Sequence, residues 1–291
     1  MQKLLITGAS GFLGWNLCQV AAVNWEVYGT YFSRPVNLPG ITPLHIDLKN
    51  FQDLKTLFQT VRPDAVIHLA AEANLNRCQE QPETSHLLNV TLARTVAGLC
   101  ADSEIPCAFS STDQVFNGLN PPYRETDPVC PINRYGEQKA LAEVEMQSCY
   151  PAIAICRMPL MFGAVPPTAS SFLQPFIQTL KEGRELNLFV DEIRTPVSGT
   201  TAAKGLLLAL QQVHGLIHLG GKERISRYDF GRLMVEVLEL PAAGLKASHQ
   251  QDVKMAAPRP PDVSLDSSRA FELGYAPPSL REELEGIRDG G

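Results

Sequence analysis

The chain has 291 residues, 44% of them hydrophobic, and a formal net charge of -6 at pH 7. That size suits one large domain, or a nucleotide domain with a smaller appendage, and the apolar content excludes a disordered chain. The acidic balance, with no dense Lys/Arg run, argues against nucleic-acid and anionic-membrane partners. The longest apolar runs fall far below membrane-spanning length. The N-terminus runs straight into Lys3-Leu4-Leu5-Ile6-Thr7, too short for the apolar region of a signal peptide. Seven scattered cysteines, with no CxxC pair, read as reduced thiols of a cytoplasmic protein. The six histidines show no ligand spacing, so no metal is expected.

In chain order, 3–7 predicts a buried strand, 12–23 a helix, 26–31 a second strand and 44–46 a third, ending at Asp47. Then follow a helix at 51–61, a strand at 65–69, a long helix at 85–100 and a strand at 107–110. A helix at 134–150 and a strand at 152–156 complete the first half. Strands alternating with helices imply right-handed crossovers and an α/β fold: a doubly wound parallel sheet covered on both faces. After Phe162 the pattern changes. Pro166-Pro167-Thr168-Ala169-Ser170 reads as a loop, 172–182 as a helix, 185–189 as a short strand and 200–213 as a helix. A strand at 216–219 can rejoin the sheet, and 227–238 reads as a helix outside it. The predicted organisation is a nucleotide-binding domain at 1–160, to which 191–220 returns, and a smaller discontinuous C-terminal substrate lobe at 161–190 and 221–291.

Strand, then Gly8, Gly11 and Gly14, then helix: this is the setting a dinucleotide turn needs. Glycines let the backbone approach a pyrophosphate, and the helix that follows aims its free N–H groups and positive end at the phosphates. Ser10, Phe12 and Leu13 belong to the same turn. The end of the second strand selects the cofactor. An acid there would hold a ribose 2′-hydroxyl, but the chain reads Thr30-Tyr31-Phe32-Ser33-Arg34. A hydroxyl and a guanidinium suit a 2′-phosphate and favour NADP(H) over NAD(H), with an ordinary loop arginine as the alternative. Asp47 and Leu48 can contact adenine, and Ala70 and Ala71 can flank the cofactor.

Tyr135 and Lys139 stand four apart and share a helix face. A free phenol has a pKa near 10, too high for ready proton exchange, and a nearby ammonium is expected to lower it. Lys139 can also hold ribose hydroxyls, and Tyr135 stands with it among the residues expected at the cofactor. Tyr135 would give a proton to a carbonyl oxygen as hydride reaches the carbon, and Thr112 would orient that oxygen.

Thr7 to Gly14, Ser111-Thr112-Asp113-Gln114-Val115-Phe116 and Tyr135-Gly136-Glu137-Gln138-Lys139 together resemble an extended short-chain dehydrogenase/reductase. More narrowly, the chain is similar to the dTDP-4-dehydrorhamnose reductase group, which also contains the NADP-binding regulatory beta subunit of methionine adenosyltransferase. Asn120-Pro121-Pro122-Tyr123-Arg124-Glu125, Asp191 to Val197, and Arg259-Pro260 followed by Leu265-Asp266 extend the match over nearly the whole chain. The resemblance implies a Rossmann-type sheet, NADP(H), a substrate cleft between the lobes, and Thr112, Tyr135 and Lys139 as the catalytic trio. It also implies reduction of a 4-keto group on a nucleotide-linked deoxysugar, and a homodimer.

Gln114 and Leu160 depart from the Tyr and Trp usual in the rhamnose reductases, and Phe12-Leu13 and Arg157 to Gly163 look more like the regulatory branch. A non-catalytic NADP-binding subunit therefore stands as the alternative. Nucleotide-sugar epimerisation is a further one, against which Ser33 and Arg34 speak. Asp113 followed by neutral Gln114 disfavours dehydration, which needs a second acid. Asn74 and Gln114 are the residues expected near the sugar. Arg194 and Arg259 are those expected near a substrate pyrophosphate, each reading equally as a loop anchor or ion pair.

Overall fold

The computed structural model of the protein describes residues 1–35, 37–166, 169 and 171–289. Pro167, Thr168 and Ser170 of the predicted loop lie outside the described residues. Seven strands form one sheet: β1 (Gln2–Thr7), β2 (Trp25–Tyr31), β3 (Ile41–His45), β4 (Ala65–His68), β5 (Cys107–Thr112), β6 (Ala154–Met158) and β7 (Gly215–His218). Their order is β3-β2-β1-β4-β5-β6-β7, with every pairing parallel. This is the Rossmann-type order. It reverses between β1 and β4, and a crevice opens there beyond the carboxyl ends of the strands.

The longer helices are α1 (Phe12–Ala21), α2 (Phe51–Val61), α3 (Leu92–Asp102), α4 (Arg134–Cys149), α5 (Leu173–Lys181), α6 (Gly199–Gln212), α7 (Arg227–Val237) and α8 (Leu280–Asp289). Alternation along the strands assigns them to layers. Leu4, Ile6 and Ile67 pack with Leu13 and Leu17 of α1 and Ala203 and Leu206 of α6. Leu5, Val66, Phe109 and Ile155 pack on the other face with Leu54, Val96 and Met146, from α2, α3 and α4. A separate cluster after residue 160 gathers Phe162, Leu173, Leu188, Phe230 and Leu284.

Several elements differ from expectation for local reasons. Strand β3 begins at Ile41 and runs through Pro43, which lacks an N–H; the strand lies at the sheet edge, where a donor can be spared. The helix predicted at 85–100 is preceded by Pro82–His86 and broken by a π turn at Leu87–Thr91, ahead of α3. That turn places Asn89, whose side chain accepts from the Glu72 amide at 2.9 Å and donates to Gln138 Oε1 of α4 at 2.8 Å. Leu245–Ser248 adds a strand parallel to Leu186–Phe189. Helix α8 was not predicted, because its run of charges hides a stripe consisting of Leu280, Glu283 and Leu284. Among the described residues no helix is long and apolar enough to cross a membrane.

Candidate active site

The crevice is built from the ends of β1, β4 and β5. Thr7 Oγ1 accepts from the amides of Leu69 (3.1 Å) and Ala70 (3.2 Å), tying β1 to the chain leaving β4. The Gly8 amide donates to Thr30 Oγ1 at 3.1 Å and the Ala9 amide to the Thr30 carbonyl at 2.9 Å, so the glycine turn is fixed to β2. A Cβ on Gly14 would lie 2.2 Å from the Gly8 carbonyl oxygen, so only glycine lets α1 start this close to the turn. Helix α1 has no side-chain cap and no acid in its first turn. Its first N–H groups and positive end are left to an anion.

Two cavities meet over this turn, sharing Gly8, Gly11, Leu69 and Ala71. One, of about 390 Å³, lies toward β2 and β3 and is lined by Ser10, Asp47, Leu48, Ala70 and Ala71 among the predicted residues. Ser33 and Arg34 stand just past it on the exposed rim, next to Phe32, which lines it. The other, of about 490 Å³, contains Phe12, Leu13 and Gly14 and then Thr112, Gln114, Tyr135, Lys139, Arg194 and Arg259. Residues far apart in the chain thus line one cleft, and the glycine turn faces the Tyr/Lys helix across it.

Asn133 caps α4 by accepting from the Gly136 amide at 2.9 Å, and its amide group donates to Gln114 Oε1 at 3.2 Å. A Cβ on Gly136 would fall 2.1 Å from the Gln114 carbonyl oxygen. Gly136 therefore lets the helix nest on the turn that carries Thr112. Gly136→Ala is expected to push the two apart and cut turnover about 100-fold, the scale of a misplacement of roughly 1 Å. Steady-state kinetics beside a circular-dichroism melt separate that effect from unfolding.

Lys139 is buried, its ammonium 4.1 Å from the centre of the Phe109 ring. Burial lowers its pKa to about 7, against an upward pull from Glu143. Tyr135 is raised, first by burial and then by the Asp113 charge. The expected depression of the phenol by Lys139 is therefore corrected for the unliganded chain: burial acts on both groups, and it disfavours phenolate and ammonium alike. Asp113 itself is raised to about 6 by burial, against the pull of Arg194. Thr112 Oγ1 donates to Asp113 Oδ1 at 3.3 Å and accepts from the Gln114 amide at 3.2 Å.

Three arginines line the outer cleft, and they are not equivalent. Arg194 is paired with Asp113 (3.5 Å) and Glu192 (3.3 Å) and donates to the Ile193 carbonyl at 2.9 Å. Of the two readings open for it, pyrophosphate contact or ion pair, the unliganded chain shows the ion pair. Arg259 donates to Asn76 Oδ1 at 3.2 Å and to the Ala257 carbonyl at 3.3 Å. Arg227, which sequence reasoning missed, stacks on Phe172 at 4.2 Å and lies 3.9 Å from Glu192, while its Nη1 is buried with no hydrogen-bond partner. Its one signal is position, directly after the capping Ser226 of α7. Asn74 does not line the cleft: its side chain caps Leu75–Glu80, accepting from the Arg77 amide at 3.0 Å.

The model of the RmlD substrate-binding domain matches residues 1–289. The chain belongs to that family. A Haloferax volcanii protein described as a probable low-salt glycan biosynthesis reductase, Agl14, is 31% identical over 97% of this chain and 96% of its own length. The methionine adenosyltransferase 2 subunit beta of Xenopus laevis is 29% identical over 94% of this chain and 83% of its own. Among solved structures, a hypothetical dTDP-4-dehydrorhamnose reductase from Sulfolobus tokodaii superposes with a TM-score of 0.83 at 32% identity, over 94% of each chain. The dTDP-4-dehydrorhamnose reductase of Bacillus anthracis, solved in complex with NADP, covers both chains fully with a TM-score of 0.89. At 22% identity that likeness speaks for the fold.

Within this RmlD-type scaffold Glu192, Arg194, Arg227 and Arg259 form the outer wall of the cleft. The sheet supplies the floor.

Proposed function

We propose that this protein is an NADPH-dependent reductase of a keto group on a nucleotide-linked deoxysugar. The observation that carries the reading is the convergence of Thr112, Tyr135 and Lys139 on one cleft, opposite an uncapped glycine-turn helix. The chain's residues fit the cofactor. The turn from Gly8 to Gly14 and the start of α1 would take the pyrophosphate. Asp47 and Leu48 would hold the adenine side, Ser33 and Arg34 the 2′-phosphate, and Lys139 the ribose hydroxyls. Bound NADPH would supply the hydride.

In this reading the nucleotide domain is 1–160 with 191–220, and 161–190 with 221–291 form the substrate lobe. Tyr135 is a neutral phenol near pH 7, the protonation state a proton donor needs. Thr112 orients the carbonyl oxygen, Tyr135 protonates it, and Lys139 makes good the proton lost from the phenol. Gln114, not Asn74, meets the sugar. Arg227 and Arg259 take the substrate's diphosphate, because Arg194 is engaged by two carboxylates. Arg227→Met, which keeps an apolar stem against Phe172, is expected to raise KM for the nucleotide sugar about tenfold or more and to change kcat little. Equal loss of both parameters would count against this role.

The test of the reading is NADPH absorbance with dTDP-4-keto-6-deoxy-L-sugar, and NADH as control. The second reading, a non-catalytic NADP-binding regulatory subunit, is favoured by the near full-length similarity to methionine adenosyltransferase 2 subunit beta. NADPH binding without turnover, together with stoichiometric co-purification of a synthetase, would support it instead.

A further inference from the structure

Beneath the cleft lies an ion pair that the proposed reaction does not use. Glu143 follows Lys139 by one helical turn on the same face of α4, and both are buried. Arg157 of β6 grips Glu143 through two bonds, Nε to Oε1 at 3.0 Å and Nη2 to Oε2 at 2.7 Å. Ser111 of β5, next to Thr112, donates to Glu143 Oε1 at 2.5 Å. Behind the pair, Arg157 Nη1 lies 3.4 Å from His218 Nε2 of β7, and its guanidinium lies 5.0 Å over Phe116. Neither Glu143 nor Arg157 lines the cleft. A buried ion pair is a poor source of stability, since apolar replacements of similar volume serve as well or better. Its placement calls for another account.

Lys139 supplies one. Besides Tyr135 and Glu143 on its own helix, it is faced by His68 of β4 and by Cys78 of Leu75–Glu80. His68 is held neutral by burial and then by Lys139, down to about 3, and burial raises the Cys78 thiol. Glu143, held in the ion pair with Arg157, is the carboxylate in this set. We propose that Glu143 and Arg157 act together as a charge regulator for Lys139: Arg157 engages both Glu143 oxygens and denies the lysine an undivided counter-charge, leaving it ready to release a proton. The released proton goes to the phenolate that Tyr135 becomes after protonating the substrate oxygen. Lys139 is then a neutral amine until it takes a proton from water. Glu143 and Arg157 are positioning residues, acting through Lys139.

The proposal rests on the assignment of Lys139 to proton transfer, but one arm of its test does not. Arg157→Met leaves Glu143 free to act on Lys139 and is expected to move the lysine's titration to higher pH. Glu143→Gln leaves Arg157 uncompensated and is expected to move it lower. Each shift is expected to be about one pH unit or more, and the double variant returns toward wild type. Two readouts follow it: the pH profile of kcat/KM, and the urea midpoint of the unliganded protein between pH 6 and 10. A purely structural role would lower the midpoint at every pH and leave its pH dependence in place. If Arg157→Met does not fold, Arg157→Lys, which keeps the charge but loses the paired grip, is expected to shift the same way by less. Opposite shifts in the midpoint profile support the regulator even if no sugar is turned over. Shifts in one direction, or none in either readout, overturn it.

Discussion

Tyr135→Phe is expected to lower kcat about 1,000-fold while NADPH affinity stays within about twofold. The substitution removes one oxygen from a buried side chain and leaves the ring to fill its space. Helix α4 is held independently of that oxygen, by the Asn133 cap, the contact of Gly136 with the 112–115 turn, and the Gln138–Asn89 bond. In the proposed reading cofactor binding falls to the glycine turn and Lys139, so a catalytic loss without a binding loss would isolate the phenol as proton donor. The residual rate reports what hydride proximity and Thr112 supply alone. Stopped-flow absorbance for the chemical step and fluorescence titration of NADPH measure the two quantities. An equal fall in affinity would place Tyr135 in cofactor binding instead.

Lys139→Met is expected to impair both turnover and cofactor binding and yet yield a more stable unliganded protein. The wild-type lysine is lowered from 10.5 to about 7 by burial. Its folded pKa lies below its unfolded one, so between these values the unfolded chain binds more protons and stability rises with pH. The cost of burying the group is full below about pH 7, shrinks as pH climbs toward 10.5, and is gone above. At pH 7 its upper bound is about 4 kcal/mol. Methionine removes that cost, less what the contact with Phe109 contributes. Urea midpoints should therefore be higher than wild type at pH 6–7, converge by pH 10, and lose their upward slope with pH. Turnover should fall about 100-fold or more, and unlike Tyr135→Phe this variant should also lose NADPH affinity. A destabilised Lys139→Met protein at pH 7 would contradict the account of the site as strained for function.

The site was legible where its chemistry is local in sequence. The glycine turn follows a strand and opens a helix, and Tyr135 and Lys139 are four residues apart, so short-range geometry locates them before any tertiary contact is known. Charge balance was not legible, because it depends on partners remote in the chain. Sequence leaves Arg194 open between a pyrophosphate contact and an ion pair until Asp113 is brought beside it, and nothing local marks Glu143 before β6 places Arg157 against it. The sign of the Tyr135 shift failed for the same reason: the four-residue spacing reveals the ammonium but not the burial that acts on both groups. Arg227 carried no pattern beyond a helix start. Asn74 caps Leu75–Glu80, a role that its place just before a helix signals in the sequence. In the fold, strand and helix alternation gave the layers. Pro43 obscured the start of β3, and the charges of α8 masked its buried stripe.

The most direct test of the central claim is transfer of a label. The protein would be incubated with stereospecifically deuterated [4-2H]NADPH and dTDP-4-keto-6-deoxy-L-sugar, and the product read by proton NMR. Deuterium at C4 of the reduced sugar, formed by wild type and lost in Tyr135→Phe, is the result this account predicts. Bound NADPH that keeps its label, with the keto-sugar recovered unchanged, would contradict it.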